Sequence, residues 1–296
     1  MKTSTLAFSV AATLIAGSAC AQSALSGYTI KLGAGRVDPR ATSSDLVGTL
    51  PVPSGAGQLV INLPEGNRTE VQPKSTLIFS IERALSNNWS VELVAGTPPT
   101  HDVKLLVSDT VKAGAAAAAP IQAAFGSDAF TNPLKTSAVL SALASNPAIG
   151  SLAAAQVAYG KMATGSHVNL YNNVTVARVK QTAPTLFLNY KFFEQSAALR
   201  PYVGVGLNYT KFKVTSTAAG NELYSDGKVR ISSSDSFGLA FQVGGTYQID
   251  KNWSLNAGWT TAAVRNDVVI RTDHTEERLF YRFHPSVFSA TVGYSF

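Results

Sequence analysis

Cysteine is nearly absent: Cys20 is the only one among 296 residues. It lies inside what reads as a secretory signal peptide, residues 1–21. Lys2 gives a basic start, Leu6 to Ala16 an apolar stretch, and Ala19, Cys20 and Ala21 a small-x-small cleavage site before Gln22. The apolar stretch is too short to cross a bilayer as a helix, which takes about 20 residues. Gly17 stands where lipoprotein signals usually carry Leu. The mature chain, 22–296, would then have no thiol, which excludes a disulfide framework, a zinc–thiolate centre and a cysteine nucleophile. Charge is also scarce, at 14% of residues, against about 25% in ordinary soluble domains. Beyond the signal no apolar run is long enough for a membrane helix. An exported, charge-poor chain without such runs fits a β-barrel, in which alternation hides the hydrophobicity. The net charge of +6 comes from scattered Lys and Arg, so nucleic acid is not the expected partner.

What the chain does contain is period-2 alternation. Phe288, Ala290, Val292, Tyr294 and Phe296 alternate with Ser289, Thr291, Gly293 and Ser295, and the chain ends on an aromatic residue, the usual signature of bacterial outer-membrane barrels. The same pattern predicts seven earlier strands, around Tyr28–Ala34, Leu77–Ile81, Trp89–Ala95, Leu186–Phe192, Val203–Tyr209, Phe237–Tyr247 and Trp253–Trp259. Eight strands, an even number, suit a closed antiparallel barrel. A soluble sandwich would alternate too, but its inner face would be apolar. Here the second face carries Gly204, Gly206, Asn208 and Thr210, the small and polar groups a narrow lumen needs. Trp89, Tyr190, Phe192, Trp253, Tyr294 and Phe296 sit at strand ends and read as an aromatic girdle at the membrane surface.

Connections alternate between short and long. Residues 86–88, 194–199 and 250–252 read as periplasmic turns; 41–74, 104–177, 213–234 and 270–280 read as long outer loops. Asn88–Leu93 weakly repeats in Asn252–Ala257, each placing a Trp after a turn. The second loop holds an Ala-rich insert, 113–165, punctuated by Pro120, Pro133 and Pro147. Val139, Leu140 and Leu143 share one helical face, and Ile149, Leu152 and Gln156 another, so short helices outside the membrane are expected, with a flexible low-complexity loop as the alternative.

Parity also assigns the lumen. Lys31, Glu82, Glu92 and Lys191 point inward near the periplasmic strand ends, where two cations offset two anions. Higher up, Ile78, Val94 and Phe187 point inward and outline a shallow apolar pocket open to the exterior. Plain barrel filling is the competing reading of both groups. The histidines, His101, His167, His274 and His284, fall in or near outer loops. His101 beside Asp102 raises a rim hydrolase, but no spacing forms a metal or phosphate-loop motif, so no enzyme, metal or cofactor is expected.

The hairpin segments resemble the OmpW family. Asn88–Pro98 is similar to its third-strand motif, and Arg200–Thr210 is the more specific match, with Asp235–Gly244 and Ala183–Leu186 in the same order. The resemblance spans about 28–104 and 178–296. It implies an eight-stranded outer-membrane barrel in contact with membrane lipid and lipopolysaccharide, admitting a small hydrophobic ligand. It also implies lateral release through a gap in the wall, for which Pro98, Pro99 and Pro184 mark the place, since proline cannot donate to a ladder. The insert departs from the family, whose corresponding loop is usually short. A structural or adhesive role, with an external partner at 113–165, is the alternative.

Overall fold

A computed structural model describes residues 26–55 and 57–296. The expected signal peptide lies outside these residues. In chain order the strands are β1 (Tyr28–Asp38), β2 (Ala41–Thr42), β3 (Val47–Ser54), β4 (Gly57–Asn62), β5 (Arg68–Val71), β6 (Lys74–Ala84), β7 (Trp89–Gly96) and β8 (Thr100–Leu106). Helices α1 (Asp109–Phe125), α2 (Pro133–Ala144) and α3 (Leu152–Val168) follow, then β9 (Thr175–Thr182), β10 (Thr185–Lys191) and β11 (Leu199–Ser216). Helix α4 (Ala218–Tyr224) leads to β12 (Arg230–Ser233), β13 (Ser236–Gln248), β14 (Trp253–Ala262), β15 (Val264–Arg271), β16 (Glu276–Phe283) and β17 (Ser286–Ser295).

Eight of these strands close on themselves in the order β1–β6–β7–β10–β11–β13–β14–β17 and back to β1, every pair antiparallel. These are the eight segments whose alternation is visible in the sequence. Parity holds: Leu207 is 47% exposed and its neighbour Asn208 only 4%. The outward row includes Leu32, Leu77, Phe79, Ile81, Leu93, Leu186, Leu239 and Val292, all exposed, as a wall facing hydrocarbon must be. Among the described residues no helix is long and apolar enough to cross a membrane; the crossing is made by strands.

The weak repeat has a structural meaning. Asn88 Nδ2 donates to the Lys191 carbonyl at 2.8 Å, and Asn252 Nδ2 to the Ser295 carbonyl at 2.8 Å. The amides of Lys191 and Ser295 donate back to the carbonyls of Asn88 and Asn252. Each Asn thus ties a periplasmic turn to the next strand. The Trp that follows stacks edge-on against a Tyr, Trp89 on Tyr190 at 5.1 Å and Trp253 on Tyr294 at 5.0 Å, and each Tyr stacks in turn on a Phe, Phe192 or Phe296. The expected girdle residues therefore form two triplets at one end of the barrel.

The outer segments differ from the expectation of long loops. Residues 41–74, 104–177, 213–234 and 270–280 carry ordered strands and helices that continue the barrel outward as a cap. One sheet runs β11–β9–β8–β5–β2; a second runs β12–β15–β16–β3–β4. The reason is visible in β11, an unbroken strand of 18 residues. Up to Thr210 its outward residues are apolar (Val203, Val205, Leu207, Tyr209) and its inward ones small or polar. Beyond that point the outward residues are Lys211, Lys213 and Thr215, and the inward ones begin Phe212 and Val214. The faces exchange character without changing parity. Strands β15 and β16 do the same above β14 and β17: Val264, Val268, Leu279, Tyr281 and Phe283 point into an apolar cap core, while Arg265, Arg278 and Arg282 are exposed. Outside the membrane, water rather than lipid bathes the wall, so the usual inside-apolar rule returns.

The Ala-rich insert is helical, and its helices run beyond 113–165 at both ends, from Asp109 to Val168. Ser108, Asn132 and Ser151 cap the three helix N-termini with their side chains. The face through Val139 and Leu143 is buried. The expected face through Leu152 is not, because Leu152 is exposed and α3 instead buries Ala155, Tyr159 and Ala163. Small residues decide this. A Cβ on Gly165 would lie 2.3 Å from the Ala115 amide nitrogen, so the glycine lets α1 and α3 approach at backbone distance. Tyr159 donates to the Phe130 carbonyl at 2.9 Å within a core of its own.

Candidate functional site

The lower lumen is closed by charge. Lys31 Nζ lies 2.7 Å from Glu82 and 2.8 Å from Glu92, and Lys191 Nζ lies 2.5 Å from Glu82. Adjacent strands bring them together: Glu82 and Glu92 are direct partners on β6 and β7, and Lys31 sits beside Ser80 on β1. Ser80 donates to Glu92 Oε1 at 2.7 Å; Asn189 and Gln242 donate to its Oε2 at 3.0 and 3.1 Å. The four charges sum to zero, and Lys31, Glu82 and Glu92 are each under 5% exposed. Asn189 and Gln242 carry no charge and were not singled out from sequence, although their inward parity was available. Gly204 makes room for them: a Cβ there would lie 2.0 Å from Asn189 Oδ1.

Above this floor is a cavity of about 140 Å3, bordered by Lys31 and Glu92 below and by Ile78, Val94 and Phe187 on the walls. Phe187 is almost wholly buried and lies against Gly206, whose Cβ would meet its ring at 2.7 Å. The cavity is not purely apolar, since Thr185, Asn208 and Thr210 also line it. Above it, Ala41 and Leu46 from the cap join Phe187, Ala262 and Val264 in one apolar cluster. A second cavity, of about 70 Å3, lies in the cap among Val103, Val179, Phe212, Val268, Leu279 and Phe283. Gln181 borders both.

The wall is interrupted beside the first cavity. The β7–β10 ladder runs from Trp89↔Tyr190 to Val94↔Thr185, and the β8–β9 ladder starts at Thr100↔Lys180. Between them the Gln181 amide donates to the Pro99 carbonyl at 3.0 Å. Residues 95–98 and 182–184, with Pro98 and Pro184, lie outside both ladders. Strand β11 stays continuous on the far side, pairing with β10 and then β9, so the break is confined to one seam. Ala95, Gly96, Thr97, Pro99 and Ala183 border the cavity at this seam.

The histidines form no catalytic pair with the expected neighbour. His101 is fully buried with Nδ1 at 2.8 Å from the Gln72 carbonyl, and burial holds its pKa below the usual histidine range. Asp102 projects to the opposite face of β8, where Arg178 and Lys74 engage it at 3.2 and 3.4 Å. His167 Nε2 meets the Leu223 carbonyl at 2.8 Å. His274 Nδ1 meets Asp226 at 2.7 Å, while Asp226 also accepts from Thr272 at 2.5 Å, which pins the β15–β16 turn. No cluster of three or more metal-type ligands occurs among the described residues.

One buried titratable group is not foreseen from the sequence reading. Glu277 on β16 is 1% exposed in the cap core, accepts from the Tyr224 hydroxyl at 2.5 Å, and has no hydrogen-bond partner for its other oxygen among the described residues. Burial pushes its carboxyl up to about 8. The alternation of Glu277, Leu279, Tyr281 and Phe283 is the signal that would have placed it inward.

Comparison with known proteins agrees with this architecture. Outer membrane protein W of Vibrio cholerae is 34% identical over 126 residues, covering 41% of this chain and 55% of that protein. Outer membrane protein W of Escherichia coli is 31% identical over 121 residues, covering 41% of this chain and 56% of that protein. The chain thus spans about half the length of the curated relatives it matches. The crystal structure of the outer membrane protein OprG from Pseudomonas aeruginosa superimposes with a TM-score of 0.60 at 19% identity, over 92% of this chain and 96% of that one, a likeness of fold. The OmpW family model matches residues 111–296, well over half of the sequence and including the closing strands of the barrel, so the chain belongs to the OmpW family of outer-membrane barrels.

Proposed function

We propose that the barrel takes small hydrophobic molecules from outside into its lumen and releases them sideways into the membrane through the seam at Pro98, Pro99 and Pro184. One observation carries this reading: the lumen cavity is blocked below by the Lys31–Glu82–Glu92–Lys191 network and runs instead to the interrupted ladder. The apolar cap cavity, which shares Gln181 with it, supplies an approach from above. Nothing in the floor offers a path for a bulky apolar solute to the periplasm, whereas the seam, level with Tyr209, opens at the upper edge of the apolar wall formed by Leu186 and Leu207. Phe187→Glu places a carboxylate on the cavity wall and Ala183→Trp fills the seam; both should abolish uptake of an alkane-like probe by vesicles carrying the protein. Uptake unchanged by Phe187→Glu removes the lumen from the route, and uptake unchanged by Ala183→Trp removes the seam.

The alternative, a surface protein acting through its insert, has support in the helix cluster's separate core and in exposed Leu134 and Val157 on its surface. Replacing 109–168 by a short Gly/Ser linker separates the two. Uptake survives the replacement if the barrel is the working part, and cell-surface adhesion is lost if the insert is.

A further inference from the structure

The outer face of the cap carries a charge imbalance directly above the lipid-facing wall. On β8, β9 and the upper part of β11 the outward residues include Lys104, Arg178, Lys180, Lys211 and Lys213 but only one carboxylate, Asp102. Asp102 is already shared between Arg178 and Lys74, and Lys104 is bound to Asn173 Oδ1 at 3.1 Å. Lys180, Lys211 and Lys213 are exposed and have no ion-pair partner among the described residues. Asp235, the acid nearest in register to Lys211, accepts from the Tyr209 hydroxyl at 2.5 Å. Lys213 stands directly opposite Lys180 in the β9–β11 ladder. Like charges in that relation destabilise a sheet, so the pair costs stability unless an anion sits between them. The other like-charged cross-strand pairs among the described cap strands differ: in Arg265↔Arg282, Arg282 lies on the Phe280 ring at 5.2 Å, and in Arg230↔Arg271 the two guanidiniums have Asp273 and Glu276 at 3.6 and 2.6 Å.

Position says what the anion is attached to. Lys211 is the next outward residue after Tyr209 on β11, roughly 7 Å further along the strand. Below Tyr209 the wall is Leu207 and Leu186, exposed to hydrocarbon. A phosphate held by the three lysines would therefore stand at the level of a headgroup, with its acyl chains lying along that apolar surface. A soluble anion would gain nothing from the wall beneath.

We propose that Lys180, Lys211 and Lys213 form a binding site for the phosphate of an outer-leaflet glycolipid, seated on the wall beside the seam between β7 and β10. The site lies on the outside of the barrel and does not depend on the permeation reading.

The test uses the full-length protein in phosphatidylcholine nanodiscs containing either a phosphorylated acyl-glucosamine lipid or the same lipid with its phosphates removed. Native mass spectrometry reads the lipid retained. The phosphorylated lipid should be retained preferentially by the wild type. A K180Q/K211Q/K213Q variant should retain it about a hundredfold less, at about fivefold per lysine near a membrane surface. The K180R/K211R/K213R variant, which keeps charge and donors, should restore it, and far-UV circular dichroism should show all three chains equally folded. Equal retention of the dephosphorylated lipid, or retention unchanged by the Gln substitutions, overturns the site. If inorganic phosphate alone displaces the lipid at millimolar concentration and binds the detergent-solubilised protein as tightly, the site is one for free anions and the lipid assignment fails.

Discussion

The barrel and its cap are built from the same kind of strand with opposite fillings. In the barrel the interior is polar: two lysines and two glutamates close the floor, and Ser80, Asn189 and Gln242 donate to Glu92. In the cap the core is mainly Val, Leu, Ile, Tyr and Phe, and the buried carboxylate of Glu277 has no cation beside it among the described residues. The difference teaches that parity fixes which way a side chain points, while the medium outside the wall fixes what that side chain can be. Lipid outside permits a polar core; water outside demands an apolar one. The two carboxylate environments follow. Glu92 receives two positive or polar donors at each oxygen, whereas Glu277 is kept in a medium where only its neutral form is comfortable.

Removing a charge should separate the regions most sharply. Lys31→Met leaves Glu82 with Lys191 alone and strips Glu92 of its cation, and should destabilise the barrel by about 3–5 kcal/mol, read as a lower urea midpoint in lipid vesicles. Adding Glu92→Gln to that variant should recover part of the loss. A midpoint unaffected by Lys31→Met would mean that the floor is solvated and the contrast with the cap false.

In the cap the corresponding experiment is a pH titration. An unfolded glutamate loses its proton near pH 4.5, and Glu277 in the folded cap does so at about 8. Between these values the folded state holds a proton that the unfolded state has released, so cap stability should fall as pH rises through that window and level off above it. The total change is on the order of a few kcal/mol. Hydrogen-exchange protection of the β16 amides, compared between pH 5 and 8.5, measures it, and Glu277→Gln should flatten the profile. A flat profile in the wild type would show the carboxylate to be paired after all.

The smallest effect belongs to the insert. Tyr159→Phe removes one buried hydrogen bond to the Phe130 carbonyl and should cost about 1 kcal/mol, seen as faster proteolysis between α2 and α3 with the barrel ladder untouched. If the same change lowers the barrel midpoint, the helix cluster and the barrel are one cooperative unit rather than two.

Much of this was legible in the sequence. All eight barrel strands announce themselves through alternation, several with aromatic ends as at Phe288–Phe296. The inward direction of Lys31, Glu82, Glu92 and Lys191 follows from counting alone; their mutual distances do not, since these depend on strand register. The cap strands were hidden because the alternation of 276–283 and 264–271 has the polarity sense of a soluble sheet, and a reading tuned to lipid-facing apolar residues takes such stretches for loops. The buried face of α3 was hidden for another reason. Its contacts are made by Ala155, Ala163 and Gly165, which carry little hydrophobic signal, while the conspicuous Leu152 faces water.

The change of character along β11 has one more consequence, for depth. Sliding the chain inward by two residues would carry Lys211 into hydrocarbon; sliding it outward would lift Leu207 into water. Opposite penalties at adjacent rungs leave a single energetic minimum, so one continuous strand acts as a draught mark that sets how deep the whole protein floats.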